Sequence, residues 1–218
     1  IKADPTVVAI AAGTPGGFGF NAKWRDEAGK QYIDVGIAEE HAIAMSSGIA
    51  KNGGKPVFNV YSTFLQRTYD QLVQDLCVNN NSAVIINHMA SVYGMNDVTH
   101  LGFFDIPMLT NIPNLVYLAP TNNEELLAMT EYAVHQHEHP VAIRVPVGEF
   151  TSTGVADTTD YSILNKSEVT RRGERIALLG LGNFYHLAKQ VADALAKDGI
   201  NATVVNPKFA SGLDEVLL

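Results

Sequence analysis

Two adjacent carboxylates, Glu39 and Glu40, lie in the stretch DVGIAEEHAIAMSSGIAK, where they open a helical pattern made mostly of small and apolar residues. Two kinds of chemistry suit such a pair. Acids in a first helical turn interact favourably with the positive end of the helix. A carboxylate placed there can also point into a ligand site and handle a proton. Downstream, Tyr61, Phe64 and Arg67 fall close together in YSTFLQRTYDQ. Aromatics beside an arginine can stack a ring and hold an anion, although Phe64 reads equally as core. His100 lies in the irregular segment MASVYGMNDVTHLGFFD, where catalytic duty and loop structure both remain open. Each of these segments follows an apolar, strand-like run. A carboxylate, an aromatic and a histidine gathered at one sheet edge suit a heteroaromatic cofactor.

Strand candidates are 6–12, 31–35, 56–61, 83–88, 115–120 and 141–146, most of them continuous apolar runs. Such runs predict strands buried on both faces, as in a parallel sheet. Helical patterns over 38–51, 63–79 and 122–135 alternate with them, the last behind the N-cap signature TNNEE. This alternation predicts an α/β fold with a doubly wound parallel sheet. Residues 150–173 are polar and rich in Thr, Ser and Asp, and read as a linker. Beyond it, strand 175–179, helix 184–197 and strand 202–205 form one βαβ unit, the start of a second α/β domain. The expected division is 1–149, 150–173 and 174–218.

Other motifs read as structure. GTPGGFG (13–19) and GLGN (180–183) match neither a dinucleotide nor a P-loop fingerprint, and tight turns are expected. The histidines of HQHEHP mark a solvated helix end, since helical geometry does not bring i and i+2 together. Cys77 reads as a small buried hydrophobe.

The chain has 218 residues, 46% hydrophobic and 17% charged, with net charge −8. The acidic balance argues against a nucleic-acid or anionic-membrane surface. No run is long enough for a membrane span, and a lone cysteine fits a reducing, cytoplasmic setting. The chain opens on Ile1 and stops within what reads as a new element, which suggests a piece of a longer protein.

DVGIAEEHA, YSTFLQRTYDQ, THLGFFD, IPNLVYLAPTNNEEL and RVPVGEF, taken in order, closely resemble the 1-deoxy-D-xylulose-5-phosphate synthase family. That family is part of the transketolase-like, thiamine diphosphate-dependent superfamily. The resemblance covers nearly the whole chain. It implies a transketolase pyrimidine-binding domain over 1–149 and the beginning of a transketolase C-terminal domain from 174. It implies a transferase that condenses pyruvate with an aldehyde, glyceraldehyde 3-phosphate, to 1-deoxy-D-xylulose 5-phosphate with loss of CO2. Such an enzyme serves isoprenoid and thiamine biosynthesis. The implied cofactors are thiamine diphosphate and Mg2+, the metal ligands being expected in a separate N-terminal diphosphate-binding domain. A homodimer is implied as well, and this piece alone is expected to be inactive.

By resemblance, Glu39 matches the carboxylate that hydrogen-bonds the aminopyrimidine ring nitrogen, and Glu40 an ordinary first-turn acid. Phe64 matches the aromatic stacked on that ring, with Tyr61 beside it. His100 matches a histidine facing the reacting centre. Arg67 and Arg144 match arginines expected at the substrate. The chain also departs from the pattern. Met89 stands where the family has an arginine, Asn96 where it has an acid (with Asp97 shifted by one), and Val147 where it has a second arginine. Loss of two arginines weakens a dianionic phosphate site, so these departures bear on the acceptor. Two further readings follow: a natural C-terminal subunit acting on another acceptor, and a non-catalytic module that kept the fold.

Overall fold

The computed structural model describes residues 1–92 and 98–217. Strands β1 (Val7–Ala11), β2 (Tyr32–Asp34), β3 (Lys55–Tyr61), β4 (Val84–His88), β5 (Val116–Leu118) and β6 (Val141–Val145) pair in parallel, in the order β2-β1-β3-β4-β6-β5. The doubly wound parallel sheet is as expected. Its inner strands are mostly apolar, as suits a sheet with helices on both faces. On one face, Ile43, Leu65, Leu72 and Leu76 pack with Ile10, Phe58 and Ile85. On the other, Met129 and Ala133 pack with Val84, Leu118 and Ile143. Cys77 is fully buried, and burial pushes its thiol up to about 12, so it serves as apolar filling.

The helices of this unit are α1 (Ala22–Ala28), α2 (Glu39–Lys51), α3 (Ser62–Leu65), α4 (Tyr69–Gln71), α5 (Asp105–Leu109) and α6 (Asn123–His135). In α6 the Asn122 side chain accepts from the Glu125 N–H at 2.8 Å, satisfying a first-turn donor. The single helix expected over 63–79 is instead a relay: α3, a 3-10 turn at Gln66–Thr68, α4, then a π-helix at Leu72–Cys77. Thr68 Oγ1 donates to the Leu65 carbonyl at 2.8 Å, offering the backbone a local partner that competes with the helical ladder. Arg67 sits on that tightened turn.

The second unit comprises β7 (Glu168–Arg171), β8 (Ala177–Leu179), α7 (Phe184–Lys197) and β9 (Thr203–Asn206), its sheet ordered β7-β9-β8. β8 and β9 are parallel, as the βαβ reading requires, and β7 adds antiparallel. The linker expected over 150–173 therefore ends early, because its last residues are a strand. β7 is an edge strand that turns only alternate residues inward, and its polar composition hides it in the sequence. Glu125 and Lys208 join the two units: Lys208 Nζ lies 3.5 Å from Glu125 Oε1 and 3.0 Å from Glu168 Oε2, all within a junction that includes a 2.8 Å bond from Asn206 Nδ2 to Glu125. Among the described residues no helix is long and apolar enough to cross a membrane.

Candidate functional site

β1 is the point where the chain changes direction across the sheet, with β2 on one side and β3 on the other. Loops leaving the carboxyl ends of such strands diverge around a crevice, and ligands bind there. The loop after β1 forms a 3-10 turn at Pro15–Phe18 and reaches over β3. Gly17 lies so close to Tyr61 that a Cβ there would sit 1.9 Å from the phenol oxygen. Asp34, the last residue of β2, ties two of the loops together. Its Oδ1 accepts the N–H groups of Gly13 and Gly36, each at 2.9 Å. Gly36 has φ +69, a conformation suited to glycine, and the turn it makes delivers the chain into α2.

α2 begins with Glu39. No side chain caps this helix, and both acids occupy its first turn, where its dipole favours them. They differ in placement. Glu39 is 1% exposed, whereas the Glu40 side chain is 39% exposed. The buried Glu39 Oε2 has no hydrogen-bond partner. Arg67 Nη1 lies 3.2 Å from it, close enough for an ion pair but without hydrogen-bond alignment. A buried carboxylate oxygen left unbonded is costly unless a ligand donor completes it.

The aromatics lie at the carboxyl end of β3, in the same row of strand ends that leads into α2. Tyr61 ends β3 and Phe64 sits in α3, their ring centres 6.1 Å apart and edge-on. His100 meets Phe64 edge-on at 5.4 Å, which fixes the histidine at this edge of the sheet. Thr99 Oγ1 lies 2.8 Å from His100 Nδ1. The loop carrying His100 is pinned at Gly102, whose carbonyl accepts from Ser62 Oγ at 3.3 Å, and it packs against the Met89 carbonyl. Arg67 thus meets Glu39, and Phe64 meets Tyr61 and His100, from segments spread over some sixty residues of sequence.

Arg144 is not among them. It is 7% exposed, and its Nε donates to Asp105 Oδ2 at 2.6 Å and its Nη2 to Oδ1 at 3.3 Å. The Tyr117 hydroxyl donates to the same carboxylate and accepts from Asn87 Nδ2 at 2.9 Å. Burial and the Asp105 charge push the Tyr117 phenol well above its ordinary value, so it stays a neutral donor. Arg144, expected at the substrate, is engaged in a buried ion pair that ties β6 to α5. Arg67 is half exposed and pairs with both glutamates, reaching Glu40 Oε1 from Nη2 at 3.5 Å. Met89 (φ +57) and Val147 follow neighbouring strands, joined by a 3.0 Å bond from the Ala90 N–H to the Val145 carbonyl. Asn96 and Asp97 lie outside the described residues.

Three participants escape sequence reading. Phe18 closes over the crevice, its ring 4.9 Å from Tyr61 and 4.5 Å from His88. His88 is driven neutral by burial, its pKa lowered to about 4. Asp34 has the one usable signal, an acid two residues before a glycine, the spacing of an Asx turn. Elsewhere the plain readings stand. Gly180 allows close packing against Tyr185, and Gln136 organises the end of HQHEHP by accepting the N–H groups of Glu138 and His139. Among the described residues no group of three His, Cys, Asp or Glu side chains is gathered to hold a metal ion.

The family model for the transketolase pyrimidine-binding domain matches residues 1–152, and that for the transketolase C-terminal domain matches 165–218. A 1-deoxy-D-xylulose-5-phosphate synthase from Acaryochloris marina is 39% identical over 216 residues, which is 99% of this chain and 34% of the relative. One from Acidobacterium capsulatum is 40% identical over 212 residues, covering 97% and 34%. The chain thus spans about a third of the length of the curated relatives it matches. A solved Pichia stipitis transketolase in complex with sedoheptulose 7-phosphate shares the fold, with TM-score 0.81 and 17% identity over 94% of this chain and 32% of that one.

Proposed function

The chain belongs to the transketolase family through its pyrimidine-binding domain, and from that premise we propose that it forms the pyrimidine side of a thiamine diphosphate site in a 1-deoxy-D-xylulose-5-phosphate synthase. The observation that carries this reading is Glu39, a buried carboxylate with an unbonded oxygen at the start of α2, on the sheet edge that also carries the Tyr61, Phe64 and His100 rings. Its chemistry fits an aminopyrimidine: the carboxylate accepts from a ring N–H, and flat aromatics cover the ring face.

Thiamine diphosphate, when bound, supplies the carbanion chemistry by which pyruvate loses CO2 and joins an aldehyde. This chain's residues orient it and manage protons. Glu39 fixes the pyrimidine nitrogen and holds its proton. Phe64 and Tyr61 set the plane of the ring, and Phe18 keeps water from its side of the crevice. His100 moves a proton to or from the substrate oxygen. The diphosphate and Mg2+ belong to a partner domain. Ile37, Val98, Phe103 and Phe104 are exposed apolar residues on the loops of this edge, and they support docking of that domain and of a second copy as a homodimer. We infer a cytoplasmic setting.

The test uses the full natural gene product. Calorimetric titration with thiamine diphosphate should show saturable binding, and Glu39→Ala should abolish both binding and pyruvate-dependent CO2 release. Near-normal turnover by E39A would overturn the assignment. A second reading, with an acceptor other than glyceraldehyde 3-phosphate, is favoured by the commitment of Arg144 to Asp105 and by the apolar Met89 and Val147. Comparing phosphorylated with unphosphorylated aldehydes in the same assay separates the two.

A further inference from the structure

Arg67 faces two carboxylates, and they hold it unequally. Its Nη1 lies 3.2 Å from Glu39 Oε2, an oxygen whose side chain is 2% exposed and which makes no hydrogen bond. Its Nη2 lies 3.5 Å from Glu40 Oε1, on a side chain 39% exposed. The buried contact lacks hydrogen-bond alignment, so a ligand donor with better geometry displaces it. The exposed contact is screened by water and holds weakly by itself. Once Glu39 is taken, the guanidinium remains at the crevice with only the weaker partner. Arg144, the other arginine expected at the substrate, has no such freedom, being buried against Asp105.

We propose that Arg67 is a substrate-anion cation kept in reserve: Glu39 and Glu40 store it, and a donor that occupies Glu39 Oε2 releases it to bind an anionic substrate group, carboxylate or phosphate. This rests on the cofactor reading above for the identity of the natural donor. It also gives Glu40 a task beyond helix-dipole stabilisation, that of keeping Arg67 at the crevice while Glu39 is engaged. The consequence is an order of events in which the cofactor ring comes first and the anionic substrate second, because the first arrival creates the site for the other.

The test reads anion binding on the full natural gene product stripped of cofactor. Calorimetric titrations with inorganic phosphate and with pyruvate are run on the parent protein, E39Q, E40Q, and each of these combined with R67Q. Removing either storing charge should tighten binding of at least one anion by about fivefold, the scale of an exposed ion pair. Adding R67Q should erase that gain. Tightening for phosphate assigns the released cation to the acceptor's phosphate, and tightening for pyruvate assigns it to the donor's carboxylate. Unchanged affinity for both anions in E39Q and E40Q overturns the proposal, as does a gain that survives R67Q. Glu40 is solvent-facing, so E40Q decides the matter even where E39Q does not fold. Failure of the parent to bind thiamine diphosphate would overturn the cofactor reading instead. It is told apart because the anion titrations contain no cofactor.

Discussion

Glu39 and Glu40 are neighbours of the same chemical type, yet a single residue step, about 100° around the helix, separates their environments. The first points into the crevice and is sealed there, and the second faces water and shares a cation. His88 shows the same control by burial. It ends β4 beneath Phe18, with Nε2 3.3 Å from Asn59 Oδ1, and burial lowers its pKa to about 4. An unfolded histidine titrates near 6.5, so between these values the unfolded chain binds the extra proton. Stability from this group is therefore full above about pH 6.5 and is lost as the pH falls toward 4. The shift corresponds to on the order of 3 kcal/mol. Denaturant melts at pH 4.5 and 7.5 should show this slope in the parent protein and a flatter one in His88→Gln; equal slopes would remove His88 from the account.

At the scale of elements, the site depends on loops that hold one another in place. The His100 loop makes its closest approach at Gly102, where a Cβ would sit 1.8 Å from the Met89 carbonyl and 3.2 Å from Ser62 Cβ. Because the nearer obstacle is backbone, no side-chain rotation relieves it. Gly102→Ala should cost about 2 kcal/mol by overpacking and shift His100 away from Phe64. A thermal melt, together with the His100 imidazole proton resonances by NMR, would check both effects, and an unshifted melting point would refute the close packing. The tight turn at Gln66–Thr68 matters in the same way, since it stations Arg67 across from α2. A regular helix over 63–79 would have carried that guanidinium to a different angle.

For the molecule as a whole, Lys208 is the cation on which the two units converge. It is 4% exposed, faces Glu125 and Glu168, and donates to Thr159 Oγ1 at 2.8 Å. Burial works against its charge, but Glu168, Glu125 and Asp157 outweigh that and hold its pKa above the ordinary value. Lys208→Met would strand the buried Glu125 beside an apolar group. The expected outcome is a loss of about 3 kcal/mol and, by calorimetry, two thermal transitions in place of one. A single transition at the parent temperature would mean that the junction is held by other contacts.

Legible in the chain itself were the strand runs, the alternation that makes a parallel sheet, the N-cap of α6 and the candidate residues Glu39, Tyr61, Phe64, Arg67 and His100. These are legible because apolar runs, capping residues and motif spacing are local properties of the chain. Only the tertiary structure decided what those side chains touch. Arg67 and Arg144 look alike in sequence, and packing alone sends one to a half-exposed position between buried Glu39 and solvent-facing Glu40 and the other into a buried bond with Asp105. β7 was hidden because an edge strand needs only one apolar face. Phe18 and His88 were hidden because their meeting depends on how the loops after β1 and β4 fold over the sheet. Burial and partner choice are set by contacts between segments far apart in the chain, and no local pattern encodes them.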